Sequence, residues 1–223
     1  FMDNIFYMTT IPASIRERLE KPFQLTSDQI QFYQKNRFIK LKQVFDEETI
    51  SFFNDVISKQ VALMHHDNTP LEQRSTYGKA FLQMMNLWEE DAKIKEFVLA
   101  KRFGQLAADL LGVEKVRLYH DQALFKEAGG GHTPWHQDQF YWPLSTPKTV
   151  TMWMPLVDIS EEMGMLTFAS GTQHVKLPPM PISDESEATI AKSRSATCFR
   201  RVLYAIVRTA YSASTPPACG RTA

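Results

Sequence analysis

The chain has 223 residues, and its 25 Lys and Arg residues equal its 25 Asp and Glu residues, so the formal net charge is zero. This balance, without a Lys/Arg cluster, argues against nucleic-acid binding. No apolar run approaches the roughly 20 residues that a bilayer span needs, and the first residues lack the pattern of a signal peptide. The two cysteines, Cys198 and Cys219, give neither a disulfide framework nor a metal-spaced pair. We therefore expect a cytoplasmic protein with one domain over residues 1–223.

Residues 1–112 are predicted to be mainly helical. Thr26 and Gln29 fit a capping box at a helix start. Asp46 can cap a second helix, Asp91 can open a third, and Gly112 suits the left-handed end of a fourth. The apolar residues of the second helix recur at helical spacing: Ile50, Phe53, Ile57, Val61 and Met64.

Residues 113–194 change character and are predicted to form strands. Alternation of side chains over residues 116–125 predicts one strand, residues 149–157 predict another, and residues 165–169 predict a short third. Helices followed by strands favour a helical layer packed on an antiparallel β-sandwich or barrel.

The stretch Trp135-His136-Gln137-Asp138 follows a run of three glycines. In an extended chain, His136 and Asp138 point to the same face. An imidazole nitrogen and a carboxylate oxygen on one face are two ligands of the 2-His-1-carboxylate triad, which leaves positions open on Fe(II) for a chelating co-substrate and O2. A lone H-x-D pair is more often an ordinary polar pair, so this motif alone does not establish a metal site.

The surrounding motifs occur in the order and spacing of one known family. They are Asp121-Gln122-Ala123-Leu124-Phe125-Lys126, Trp135-His136-Gln137-Asp138, Trp153-Met154-Pro155-Leu156-Val157-Asp158, Gly164-Met165-Leu166 and Ser170-Gly171-Thr172. With them, the chain resembles the phytanoyl-CoA dioxygenase family of Fe(II)/2-oxoglutarate-dependent oxygenases over roughly residues 25–194.

The resemblance implies a double-stranded β-helix, or jelly roll, with an N-terminal helical layer. It implies that His136 and Asp138 are iron ligands and that Trp153 lines the 2-oxoglutarate pocket, with Gln122 as a candidate for the same pocket. Trp153 as a core residue and Gln122 as an ordinary barrel polar residue remain alternatives. Because the related halogenases replace the carboxylate with a small residue, Asp138 favours hydroxylation.

The family also needs a distal His and an Arg that pairs with the far carboxylate of 2-oxoglutarate. No histidine follows His174, which we expect to hold a turn. His65 and His66 are expected to be solvated, and His120 to point inward without a ligand role.

The C-terminal tail, residues 195–223, suggests a frameshifted translation. When the last base of each codon is read together with the first two bases of the next, the codons of residues 205–206 permit a His, and those of residues 207–210 permit Ala, Asn and Arg, which resembles the family's final motif. As written, the chain would therefore lack the last strands, the third iron ligand and the anchoring Arg. We therefore expect the chain as written to have reduced catalytic activity.

For the intact site we expect hydroxylation of a small organic substrate. Phe140, Tyr141 and Trp142 are candidates for the wall of the substrate pocket, or for core or lid aromatics. Two other functions remain open: a jelly-roll binding module without catalysis, and a cupin-like metalloenzyme that does not use 2-oxoglutarate. The oligomeric state stays open.

Overall fold

A computed structural model of the chain describes residues 10–66, 69–138, 141–142, 144–172, 175, 177–195 and 200–203. In chain order, the helices are α1 (Ala13–Glu20), α2 (Ser27–Asn36), α3 (Glu47–Met64), α4 (Thr76–Ala80), α5 (Leu87–Glu90), α6 (Ala92–Val98), α7 (Lys101–Leu111) and α8 (Asp184–Ser195). The strands are β1 (Leu82–Met85), β2 (Gln122–Phe125), β3 (Thr167–Ser170) and β4 (Arg200–Leu203), and a 3₁₀ turn spans Leu71–Gln73.

The predicted helix boundaries are confirmed by their caps. Thr26 Oγ1 accepts from the Gln29 amide at 3.2 Å, and Gln29 Oε1 accepts from the Thr26 amide at 2.9 Å, which completes the capping box of α2. Asp46 caps α3, Asp91 caps α6, and Gly112 ends α7 with a φ of 63°. These signals are local, so sequence alone locates them.

The apolar face of α3 lies at the centre of the core. Phe53 is fully buried and stacks on Phe97 of α6, with ring centroids 4.0 Å apart. The core also includes Ala123 and Phe125 from β2, so the β1–β2 pair packs directly on the helices. The helical layer predicted for residues 1–112 is thus the layer that positions β2.

The strands are shorter than the alternating pattern predicts. β1 pairs antiparallel with β2, with Leu82 opposite Phe125 and Met85 opposite Gln122. The Asn86 amide still donates to the Asp121 carbonyl at 3.0 Å, but Asn86, with a φ of 58°, turns the chain into α5, so β1 does not continue opposite residues 116–120. The expected strand over residues 149–157 is also absent, apart from an isolated bridge at Leu156.

β3 pairs antiparallel with β4, with Thr167 opposite Leu203 and Ser170 opposite Arg200. Across the described ranges, the sheets are therefore two pairs of strands, whereas a jelly roll has eight strands. An alternating pattern predicts which residues can form a strand, but a strand also needs a hydrogen-bonded neighbour. The complete jelly roll remains a prediction.

Two further outcomes concern the ends of the chain. Sequence patterns do not predict α8, which has acidic residues in its first turn but no clear apolar stripe. Most of the tail assigned to residues 195–223 lies outside the described residues, and so do Phe140 and His174. None of the helices in the described part is both long and apolar enough to cross a membrane.

Candidate metal centre

The side chains of His136 and Asp138 meet, as their two-residue spacing predicts, although the segment is not a strand. His136 Nε2 lies 3.1 Å from Asp138 Oδ1, and the two side chains are 29% and 54% exposed. On its other side, the ring donates from Nδ1 to the Pro134 carbonyl at 2.8 Å. This carbonyl fixes the tautomer, so Nε2 is the nitrogen that faces the carboxylate.

The His136 nitrogen and the Asp138 carboxylate oxygen share a proton, and a site that holds a proton in this way also suits a metal cation. Burial of the ring acts to lower the pKa of His136, but hydrogen bonds to Asp138 and Pro134, with the Asp138 charge, raise it overall. The pair therefore attracts positive charge into the space between a nitrogen and a carboxylate oxygen. A bound metal ion would take the place of that proton.

The spacing of the pair fits two neighbouring ligands of one ion. For two ligands about 2.1 Å from an octahedral ion at a right angle, the ligand atoms are about 3.0 Å apart. The 3.1 Å separation of His136 and Asp138 matches that value. No group of three His, Cys, Asp or Glu residues that could hold a metal occurs within the described part of the chain.

The segment that carries the pair is held by residues from the C-terminal side. The Trp135 amide donates to Glu187 of α8 at 2.6 Å. The Leu177 amide donates to Gln137 Oε1 at 3.2 Å, and the Tyr141 hydroxyl donates to the Met180 carbonyl at 2.9 Å. These bonds position the segment although it has no strand pairing.

Gln122 lies in a second polar cluster at the start of β2. Its Oε1 accepts from Gln83 Nε2 at 2.9 Å, and its Nε2 lies 2.7 Å from Nε2 of His120. Since the amide nitrogen can only donate, we assign His120 Nε2 as the acceptor and place the ring proton on Nδ1. Nδ1 is buried with no partner among the described residues. Burial lowers the pKa of His120 against the opposing effect of Asp121.

The second cluster connects to the first through Tyr77 of α4. Its side chain is hydrogen-bonded to Gln83, and burial, followed by the charge of Asp138, raises the pKa of Tyr77. Tyr77 is therefore the residue through which the charge of Asp138 acts on the second cluster. Sequence reasoning missed Tyr77 and Gln83; a single polar residue within the apolar run of residues 81–85 was the available signal for Gln83.

The aromatic residues Tyr141 and Trp142 lie between the two clusters. The rings of Tyr141 and His136 are 6.0 Å apart, and Trp142 lies 4.5 Å from the His120 ring. Trp142 also has an edge contact with Tyr119 at 5.7 Å. These contacts place Tyr141 beside the candidate metal pair and Trp142 beside the second polar cluster.

The other candidate residues are Trp153, His65 and His66. Trp153 is half-buried, and in the described ranges no hydrogen bond or ring contact joins it to His136 or Asp138. Its role in the 2-oxoglutarate pocket stays a prediction. His66 is exposed as expected, but His65 caps α3 and is half-buried, which corrects the expectation that both are solvated.

Comparisons with known proteins give one family and one fold. A family model described as phytanoyl-CoA dioxygenase (PhyH) matches residues 12–194. The solved structure of the non-heme alpha-ketoglutarate-dependent carbocyclase SnoK from nogalamycin biosynthesis matches with a TM-score of 0.64 and 16% sequence identity. The match covers 85% of this chain and 74% of that chain. A search of curated proteins found no match. At this identity, the likeness to SnoK shows a shared fold.

Proposed function

The chain belongs to the phytanoyl-CoA dioxygenase family, and on that premise we propose that it is an Fe(II)/2-oxoglutarate-dependent oxygenase that hydroxylates a small organic substrate. The observation that carries the proposal is the His136–Asp138 pair, whose donor atoms are 3.1 Å apart. The family match and the shared fold with SnoK, described as alpha-ketoglutarate-dependent, support the same class of reaction. Fe(II), when bound, would supply the redox chemistry with O2 and 2-oxoglutarate.

In this proposal, the protein's own residues hold the metal ion and orient the co-substrate. His136 offers Nε2 and Asp138 offers a carboxylate oxygen, while the Pro134 carbonyl keeps the imidazole in the correct tautomer. Gln122 has one amide N–H that is not used by His120, and it is the donor we assign to an oxygen of 2-oxoglutarate. Trp153 is proposed for the same pocket by its place in the family motif.

The space beside His136 is small. A cavity of about 20 Å³, lined by His136, Tyr141 and Met180 among others, has room for about one water molecule. The co-substrate must therefore bind on the more exposed side, where Asp138 is 54% exposed. In the complete jelly roll that we propose for this chain, the remaining strands would cover that side.

A binding module without catalysis is the second candidate. It is favoured by one specific observation: no third His, Cys, Asp or Glu ligand joins the pair within the described residues. Two ligands bind a metal ion more weakly than three, so we expect weak metal affinity for the chain as written.

Anaerobic titration of the apo protein with Fe(II) and 2-oxoglutarate tests the proposal. We expect a weak visible charge-transfer band that is lost in His136→Ala and Asp138→Ala. The control is His132→Ala, which removes an exposed histidine four residues before His136. Succinate formation then separates an oxygenase from the binding module. If the wild type gives no band and no metal-dependent heat, the oxygenase assignment fails for this chain.

A further inference from the structure

Glu187 of α8 forms a hydrogen bond to the main chain beside His136. The Trp135 amide donates to Glu187 Oε2 at 2.6 Å, which is short for an N–H donor and typical of a bond to a charged acceptor. On the other side of the same peptide unit, the Pro134 carbonyl accepts from His136 Nδ1 at 2.8 Å. The Pro134–Trp135 peptide group therefore connects the Glu187 carboxylate with the imidazole of His136.

This peptide group can transmit orientation because it is planar and trans. No peptide bond of the described residues is cis, so its N–H and its C=O point in opposite directions. A carboxylate that fixes the N–H on one side thus fixes the direction of the carbonyl on the other. Pro134 is fully buried, and so few water molecules compete for the carbonyl.

Local bonds at the start of α8 set the position of Glu187. The Ser183 hydroxyl accepts from the Ser186 amide at 3.2 Å, and the Ser186 hydroxyl accepts from the Ser183 amide at 3.0 Å, as in a capping box. Ile190 is buried, lies one helical turn after Glu187 and lines the small cavity beside His136. One face of α8 therefore supplies both an apolar contact and a carboxylate to the segment that carries the metal pair.

The series of hydrogen bonds affects His136 as a ligand. A carboxylate bonded to the peptide N–H polarises the peptide group, so the Pro134 oxygen becomes a better acceptor. A stronger acceptor for the Nδ1 proton holds the ring with Nε2 towards Asp138 and makes Nε2 more basic. Histidines that bind metals commonly donate to a carboxylate or to a carbonyl, and here a carbonyl is itself supported by a carboxylate.

We propose that Glu187 is a positioning residue of the metal centre, and that it acts on His136 through the Pro134–Trp135 peptide group. Glu187 needs no contact with the metal ion for this role. The inference rests on the proposed function, because it takes His136 as a metal ligand. It also gives α8 a role in the site that the sequence patterns do not indicate.

The Nδ1 proton of His136 reports this arrangement in the metal-free protein. We expect ¹H–¹⁵N spectra of the wild type to show it as a resolved signal, which is assigned by its absence in His136→Ala. Glu187→Ala should broaden the signal beyond detection, because a carbonyl that is free to reorient lets the proton exchange with water. Glu187→Gln should retain the signal, since its amide oxygen can still accept from the Trp135 amide.

Two other variants of α8 separate this role from a general loosening of the helix. Glu185→Ala removes an exposed carboxylate from the same first turn, and with it a similar interaction with the helix dipole. Ile190→Val removes one methyl group from the buried contact of the same helix. Both should keep the His136 signal. If either loses it as Glu187→Ala does, the docking of α8 as a whole is the cause and the inference is overturned.

The wild type alone provides a test that does not depend on the folding of any variant. The Trp135 amide proton should resonate downfield and exchange slowly with deuterium, because it is bonded to a charged acceptor. An ordinary chemical shift with fast exchange would overturn the inference. Circular dichroism and unchanged His120 signals check that each variant folds.

Titration with Zn(II), which is diamagnetic, connects the effect to metal binding. We expect the dissociation constant to rise at least about tenfold in Glu187→Ala and to stay within about threefold of the wild type in the other three α8 variants. If the wild type binds Zn(II) and Glu187→Ala binds it equally well, the inference is overturned and the oxygenase proposal stands. If the wild type binds no Zn(II), the oxygenase proposal fails and the role of Glu187 fails with it.

Discussion

Replacing Gln83 with alanine tests the connection between the two polar clusters. The amide of Gln83 makes two half-buried hydrogen bonds, to Gln122 at 2.9 Å and to Tyr77. At about 1 kcal/mol each, their loss should destabilise the fold by roughly 2 kcal/mol. With a urea m-value of about 2 kcal/mol/M, the unfolding midpoint should fall by about 1 M.

A second effect of Gln83→Ala is local and does not depend on stability. Without its donor, the Gln122 amide is free to rotate, so it no longer has to donate to His120 Nε2. Long-range ¹H–¹⁵N spectra should show His120 protonated on Nδ1 in the wild type and a mixture of tautomers in the variant. This readout requires no metal and no substrate.

Gln73→Ala is the matched control. Gln73 is an exposed glutamine at the end of the 3₁₀ turn, and its loss should change the free energy of unfolding by less than about 0.5 kcal/mol. If Gln83→Ala unfolds at the same urea concentration as Gln73→Ala and keeps the His120 tautomer, the network does not hold Gln122, and its link to Asp138 is wrong.

Three other predictions concern the scaffold. Phe53→Ala should cost about 3–5 kcal/mol in urea unfolding because the ring is fully buried, whereas Leu63→Ala, at 72% exposure on the same helix, should cost under about 0.5 kcal/mol. Asp46→Ala should cost about 1 kcal/mol through loss of the α3 cap, and Asp46→Asn should retain most of the stability; equal losses would exclude the cap as the cause. Because burial lowers the pKa of His120 in the fold, stability should fall as the pH drops below about 6.5, where the unfolded chain takes up the proton first. Unfolding free energies between about pH 5 and pH 7 should show a smaller fall in His120→Gln, and an equal fall would refute that origin.

The sequence predicts those parts of the fold that are determined locally. The caps at Thr26, Asp46 and Asp91 and the left-handed end at Gly112 each depend on a few neighbouring residues, and each is present. Strand length is different, because it depends on a partner elsewhere in the chain. The turn at Asn86 ends β1 after four residues, and this limits β2 as well. No alternation within residues 116–125 reveals that limit.

The candidate site likewise has one part that the sequence predicts and another part that only the structure reveals. The juxtaposition of His136 and Asp138 follows from a two-residue spacing, which sequence supplies directly. Tyr77 and Gln83 come from a helix and a strand that the sequence patterns do not predict, and they reach Gln122 only through the antiparallel register of β1 and β2. Long-range register is set by packing, so these residues could be identified only from the structure.

The state of the hydrogen bonds around Gln122 also distinguishes two causes of lost activity, a missing metal ligand and a disturbed fold. A missing third ligand would weaken metal binding but leave the Gln83–Gln122–His120 network unchanged, because none of those three residues belongs to the His136–Asp138 pair. A disturbed fold would instead affect the network and the metal pair together, since Tyr77 is hydrogen-bonded to Gln83 and the charge of Asp138 acts on it. The His120 tautomer therefore reports whether the pocket is formed, independently of whether it holds a metal. A protein with the expected tautomer and weak metal affinity would lack a ligand, whereas one that lacks both would have a fold that fails to assemble the site.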